Sequence, residues 1–334
     1  MRLSRSTPPA SPRRARPAAP VPWGLLLSAV LMAGCAAPTP EEPGELEWVR
    51  RGQQLLQPER ATQASAAFAR ALAQEPSSLP ALLGRAQAEV WAGEADAALS
   101  DLTLALTQRP LARAHWLRGT LWFGRQDFAR AAKDFERACL LAPREAPLYV
   151  AWAQAKLRLG DAAAALRGAD EALRLAPDEP EVRAVRGAIL LKLHRYTESS
   201  AELTRALEAR ASGQSYELRG DAFFAQGEHQ AAVVDYTEVL RRDAASLCRV
   251  ARGLCFLELD RHNDAERDFS RWLDAHPQDA RVLLWRGVSR AQRQAWGLAE
   301  ADLARARELA EDEALRAQID EQRRLVEQQR RQVW

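Results

Sequence analysis

Residue types that carry out catalysis or bind metals are present, but their spacing matches no known catalytic or metal-binding motif. The five histidines, at positions 115, 194, 229, 262 and 276, lie in different segments, and none has a second ligand at metal-site spacing. The chain also lacks the motifs G-x-G-x-x-G, G-x-x-x-x-G-K-[ST], G-x-S-x-G and H-E-x-x-H. The sequence therefore predicts a non-enzymatic protein without a cofactor or a metal. An enzyme or metal-binding protein with a scattered site is kept as an alternative.

One cysteine lies where a covalent modification is expected. Residues 1–22 are basic and rich in proline, and the apolar run Trp23–Ala33 that follows is shorter than the roughly twenty residues that span a bilayer as a helix. The run ends in the sequence LMAGC at Leu31–Cys35, which resembles the bacterial lipobox cut by signal peptidase II. This resemblance implies a lipoprotein signal peptide over residues 1–35 and a lipid on Cys35. An uncleaved anchor and a disordered tail are the alternatives.

The segment after this cysteine predicts where the protein resides. Residues 36–44 are rich in proline and lack an apolar period, as is typical of a tether. Ala36 follows the cysteine, and under the sorting rule of some enteric bacteria this favours the outer membrane. We therefore expect a protein of the cell envelope, lipid-anchored at the outer membrane and facing the periplasm. The other cysteines, at positions 139, 248 and 255, are expected to be small buried hydrophobes.

A repeat of 33 or 34 residues organises most of the chain. In the stretch 112–145, Gly119 lies on a first predicted helix, and Ala131, Phe135 and Ala138 share one face of a second. A lone helical pair cannot bury its apolar stripe, so neighbouring copies are required. The copies of Gly119 are Gly52, Ala86, Ala153, Gly187, Gly220, Gly253 and Gly287, and those of Phe135 are Phe68, Leu102, Ala169, Leu203, Tyr236, Phe269 and Leu303.

This pattern resembles the tetratricopeptide repeat (TPR), whose repeat length is about 34 residues. The resemblance implies an all-α fold, a right-handed TPR α-solenoid of about eight helix-turn-helix repeats with a C-terminal capping helix. The array is predicted over residues 45–313 and the capping helix over residues 314–334. A short coiled coil or partner helix is the alternative for the last segment, and it would make the protein a homo-oligomer.

The resemblance also implies a binding surface. In TPR proteins the first helices of the repeats line a concave groove that binds an extended peptide or a partner helix. We therefore expect a protein-binding scaffold or assembly factor that uses neither nucleic acid nor a small-molecule substrate, and the formal net charge of +2 fits this. For Trp91 and Trp116, a core position between repeats is the alternative. The groove residues carried over from the family are Gln87, Trp91, Arg113, Trp116, Thr120, Phe123, Gln154 and Arg158.

Overall fold

A computed structural model of the chain describes residues 43–333. Within this range all regular structure is helical, with no strand, which confirms the all-α prediction. The signal peptide, Cys35 and most of the tether lie outside the described residues, so those predictions stay open. The helices are α1 (Pro43–Gln54), α2 (Ala61–Gln74), α3 (Leu79–Ala92), α4 (Ala95–Gln108), α5 (Ala112–Gly124), α6 (Phe128–Leu141), α7 (Ala146–Arg158), α8 (Ala162–Leu175), α9 (Pro180–Lys192), α10 (Tyr196–Ala209), α11 (Gly213–Gln226), α12 (His229–Arg242), α13 (Cys248–Glu258), α14 (His262–Ala275), α15 (Ala280–Gln292), α16 (Trp296–Leu309) and α17 (Glu313–Val333), with a 3-10 turn at Pro58–Arg60.

The helices α1 to α16 follow one another as eight helical hairpins, numbered here in chain order. The described residues divide into two compact units, 43–101 and 102–333, and this boundary falls within α4. In the second unit each hairpin from the third onward packs against the next one in the sequence. The last helix, α17, packs on α15 and α16, where Ile319 and Val326 are buried. These features are those of a solenoid closed by a final helix.

The two helices of a hairpin approach closely at the small residue of the repeat. A Cβ added to Gly253 would lie 2.5 Å from Cε1 of Phe269, and one added to Gly220 would lie 2.8 Å from Cε1 of Tyr236. Such contacts are too short for any real side chain, so glycine is required while the opposite ring stays in place. In the fourth hairpin Ala153 stands in place of glycine, and its counterpart on the second helix is also small, Ala169.

An arginine immediately before this small residue ties the two helices together. In the sixth hairpin Arg219 donates through Nε and Nη2 to both carboxylate oxygens of Asp235, each at 2.8 Å, and through Nη1 to Thr204 of the preceding hairpin at 3.1 Å. A bidentate pair of this kind fixes the relative orientation of the two helices as well as the distance between them. The arginine and the carboxylate are sixteen residues apart. The same two-pronged arrangement joins Arg85 to Asp101, Arg118 to Asp134, Arg252 to Asp268 and Arg286 to Asp302, and Arg186 pairs with Glu202.

The fourth hairpin replaces this ion pair with an apolar contact. Trp152 stands at the arginine position and Gly168 at the carboxylate position, and a Cβ on Gly168 would lie 2.7 Å from Cε3 of the tryptophan. The indole ring thus fills the space that the arginine and its partner occupy elsewhere. The hairpin geometry is therefore compatible with either an ion pair or a large ring over a glycine.

Candidate functional site

The turn between α5 and α6 fixes the position of an aromatic side chain, Phe128. Gln126 has φ of 62°, and the backbone N–H groups of Gln126 and Asp127 donate to the carbonyls of Phe123 and Trp122 at 3.0 and 2.9 Å. This left-handed closing residue ends α5, and the Asp127 carboxylate accepts the N–H of Arg130 at 3.0 Å to begin α6. Phe128 is therefore held one tight turn away from Phe123.

Phe123, Phe128 and Arg158 form one continuous cluster, called here the Arg158 cluster. The rings of Phe123 and Phe128 meet edge to face with centroids 5.2 Å apart and an interplanar angle of 68°. The guanidinium carbon of Arg158 lies 5.0 Å from the centroid of the Phe128 ring. Phe123 also packs on the buried core of the third and fourth hairpins, so the base of the cluster is rigid. The structure thus brings two predicted groove residues together through Phe128, which the sequence-based prediction of the groove did not include.

Trp116 lies partly in the core, as the alternative interpretation of the sequence proposed. It is half-buried and packs against two groups of buried residues, one around Phe135 and one around Cys139. Its indole Nε1 is buried and has no hydrogen-bond partner among the described residues. Trp116 therefore contributes to the core more than to a free surface, and its truncation would disturb the core.

The other predicted groove residues differ in exposure. Gln87 is only 2% exposed, so its side chain is part of the interior and the structure removes it from the candidate surface. Trp91, Arg113 and Gln154 are half-buried. Thr120 donates its hydroxyl to the carbonyl of Trp116 at 2.9 Å, which occupies that hydrogen atom within its own helix. Because Gln87 and Trp91 belong to the first unit, the candidate surface is limited to residues 113–158 of the second unit.

Charge is distributed unevenly along the second unit. Residues 112–195 hold 15 arginines and lysines against 10 aspartates and glutamates, whereas residues 213–313 hold 14 against 19. Arg158 is exposed, and Lys192 stands at the same place in the following hairpin and is exposed as well. The Arg158 cluster therefore lies in the cationic part of the unit.

The described residues offer little for covalent or metal chemistry. No group of three or more histidine, cysteine or acidic side chains in residues 43–333 is arranged to hold a metal ion. Burial raises the pKa of the Cys139 and Cys255 thiols to about 12, which keeps both protonated and unreactive. None of the described helices combines the length and the apolar character needed to cross a bilayer. What the second unit does present is a rigid aromatic and cationic surface.

Comparison with protein families identifies a repeat. The family model described as "Tetratricopeptide repeat" matches residues 186–247 and 250–314. No curated protein matches the chain in sequence.

Solved structures resemble the chain in fold. A chain of the APC/C hetero-tetramer Cut9-Hcn1 is 15% identical with a TM-score of 0.55, over 83% of this chain and 55% of that one, so this chain spans about half the length of that relative. PilF of Pseudomonas aeruginosa is 19% identical with a TM-score of 0.54, over 61% of this chain and 94% of that one. YrrB, described as a TPR protein with an unusual peptide-binding site, is 19% identical with a TM-score of 0.52, over 57% of this chain and 100% of that one. At these identities the similarity concerns the fold alone.

Proposed function

We propose, on the premise that this chain carries tetratricopeptide repeats, that it is a non-enzymatic scaffold that binds a protein partner. The partner segment is an extended peptide or a helix, and it binds the surface of residues 113–158 in the second unit. A lipid on Cys35 anchors the protein at the outer membrane, and the repeats face the periplasm. In this position the protein recruits its partner to the membrane surface.

The Arg158 cluster is the observation that carries this proposal. It combines two aromatic rings and an exposed guanidinium on a packed base, and aromatic and arginine side chains are enriched at the energetic centres of protein interfaces. Peptide binding by YrrB, and assembly with Hcn1 in the Cut9 complex, are compatible precedents for this fold.

Site-specific photo-crosslinking in the cells that produce the protein tests the binding surface. A benzophenone amino acid placed at Gln154, on α7 beside the cluster, is expected to give a crosslink to one discrete protein. The same amino acid placed at Ala201, which is exposed on the second helix of the fifth hairpin, serves as the matched control and is expected to give none. Equal products from both positions, or no product from Gln154, would contradict the proposed surface.

Metabolic labelling tests the anchor separately. We expect the full-length chain to incorporate labelled palmitate and to fractionate with the outer membrane. Cys35→Ala should lose the label completely and leave the membrane fraction. A wild type without label, or a labelled Cys35→Ala variant, would reject a lipid on Cys35, whereas an unlabelled variant that stays in the membrane would show that another part of the chain also holds it there.

A further inference from the structure

Arg158 differs from other ring-stacked arginines of the second unit in lacking a carboxylate. Its guanidinium lies over Phe128, yet among residues 43–333 it forms no ion pair. Arg261, by contrast, lies 4.5 Å from the centroid of the Phe256 ring and binds Asp264 at 2.8 Å. The stacked arginines that also bind a carboxylate are Arg130, Arg219, Arg242, Arg252 and Arg261.

A stacked arginine without a partner is well suited to bind an incoming carboxylate. The ring covers one face of the planar guanidinium and limits its motion, while the N–H groups along its edge stay available for a two-pronged hydrogen bond. Phe123 contacts the Phe128 ring edge to face, and Phe123 itself packs on the core. Little side-chain entropy is therefore lost when a ligand binds, because the cation is already positioned.

A second aromatic pair repeats the geometry of Phe123 and Phe128, and an acidic residue stands at the position equivalent to Arg158. Phe224 and His229 meet edge to face with centroids 5.3 Å apart and an interplanar angle of 68°, as Phe123 and Phe128 do. Glu258, which is exposed, stands in the seventh hairpin where Arg158 stands in the fourth. The repeat thus keeps the aromatic pair and changes the charge at the equivalent position of the next hairpin. The sign of the charge at Arg158 is therefore a specific property of that place, in agreement with the excess of cations over residues 112–195.

We infer that Arg158 binds a side-chain carboxylate of the partner, and that the partner segment is an extended peptide with an acidic residue next to an apolar or aromatic one. The carboxylate pairs with the guanidinium edge, and the neighbouring side chain packs on the exposed parts of the Phe128 and Phe123 rings. Lys192, at the same place in the next hairpin, favours further acidic residues along the segment. This inference rests on the proposed function, since it names the chemistry of the partner at that surface.

Selection from a random dodecapeptide library on the full-length chain, held in detergent, tests the inference. We expect the enriched peptides to carry Asp or Glu beside Phe, Leu or another apolar residue. Arg158→Gln should weaken the best peptide about tenfold in a fluorescence polarisation titration, the loss expected for one charged hydrogen-bonded pair. Replacing the peptide's acidic residue with its amide should give the same loss on the wild type but little further loss on the variant. Arg261→Gln, the stacked and already paired control, should leave affinity unchanged.

The outcomes separate this inference from the proposed function. If peptides are enriched but contain no preferred acid, or bind Arg158→Gln as tightly as the wild type, the carboxylate assignment is wrong while peptide binding stands. If the wild type enriches no peptide at all, the proposed function fails and this inference fails with it. Equal weakening by Arg158→Gln and Arg261→Gln would indicate a general loss of positive charge and would also reject the specific site.

Discussion

Replacing Asp235 with alanine is expected to destabilise the sixth hairpin by about 3 kcal/mol, because it leaves the guanidinium of Arg219 without its counter-charge. The Asp235 side chain is 1% exposed and that of Arg219 is 18% exposed, so water replaces the lost carboxylate only in part. Both oxygens of Asp235 accept from the same arginine, which also donates to Thr204 on the preceding hairpin. The loss should therefore weaken the contact between neighbouring hairpins as well as the hairpin itself.

Hydrogen exchange measured by mass spectrometry is the appropriate readout, since a solenoid loses structure locally and not as one unit. Asp235→Ala should speed exchange across α11 and α12 far more than in α15 and α16. Glu238→Ala is the matched control on the same helix, because Glu238 pairs with Arg241 on the surface, where ion pairs contribute little to stability. Equal protection in the two variants would show that the buried pair does not hold the hairpin.

A double variant tests whether charged side chains are required at positions 219 and 235. Arg219→Leu combined with Asp235→Leu removes both charges, and apolar replacement of a buried pair is often close to neutral. We expect this double variant to exchange more slowly than Asp235→Ala. The fourth hairpin, where Trp152 lies over Gly168, already shows that the fold accepts an apolar pair at these two positions.

The fold could be predicted because its determinants are local and repeat at a fixed interval. Gly253 and Phe269 illustrate this: a small residue is followed sixteen residues later by the side chain that packs over it, which is a ring or a leucine in every hairpin except the fourth. Repetition at one interval indicates stacked hairpins before any distance is known. The structure confirms that arrangement for the third to eighth hairpins, each of which packs against the next.

The candidate surface is harder to predict from the sequence, because it depends on the rotation of each helix about its own axis. Successive helical residues are about 100° apart, since a turn holds about 3.6 residues, so a groove position and a core position differ by one place. Gln87 was assigned to the groove and lies in the interior. The Arg158 cluster was missed as a unit because it joins the end of one helix, the start of the next and a third helix thirty residues later. The sequence feature that could have predicted the cluster is the aromatic residue directly after the turn, Phe128.

The ion pairs between the two helices of a hairpin follow a spacing that is present in the sequence, but the sequence analysis did not predict them. An arginine precedes the small residue in the hairpins that contain Arg85, Arg118, Arg219, Arg252 and Arg286, and an aspartate follows each one sixteen residues later. Arginine is abundant throughout the chain, so the number of arginines does not predict these ion pairs. Their position in the repeat, directly before the small residue, does. Pairs at this interval belong to the packing between helices, where their planar geometry sets the angle of one helix on the other.

In the first unit, Glu89 is expected to make stability fall as the pH rises. Its side chain is nearly buried, and burial, together with the negative charges of Asp101 and Glu94, raises its pKa to about 7. Arg85 opposes this shift only weakly, because it lies 3.5 Å from Glu89 but donates to Asp101 twice at 2.6 Å. The second carboxylate oxygen of Glu89 has no hydrogen-bond partner among the described residues. Ionisation therefore leaves a poorly compensated charge inside the unit.

The direction of the effect follows from the two pKa values. The ordinary pKa of a glutamate, 4.5, applies in the unfolded chain, and burial raises the pKa of Glu89 to about 7 in the folded unit. Between these values the folded form binds the extra proton, so its stability is intact below about pH 4.5 and declines as the pH rises toward 7. The shift corresponds to a loss of roughly 3 kcal/mol above neutral pH.

Glu89→Gln removes this titration and should therefore stabilise the first unit at pH 8 while having little effect at pH 4.5. Hydrogen exchange of peptides covering α3, compared at matched chemical exchange rates, measures the difference. Glu59→Gln, at an exposed position of the same unit, is the control and should leave protection unchanged at both pH values. If Glu89→Gln and the wild type are equally protected at pH 8, the carboxylate is compensated in solution by water or movement of Arg85. The buried charge would then have no part in setting the stability of this unit.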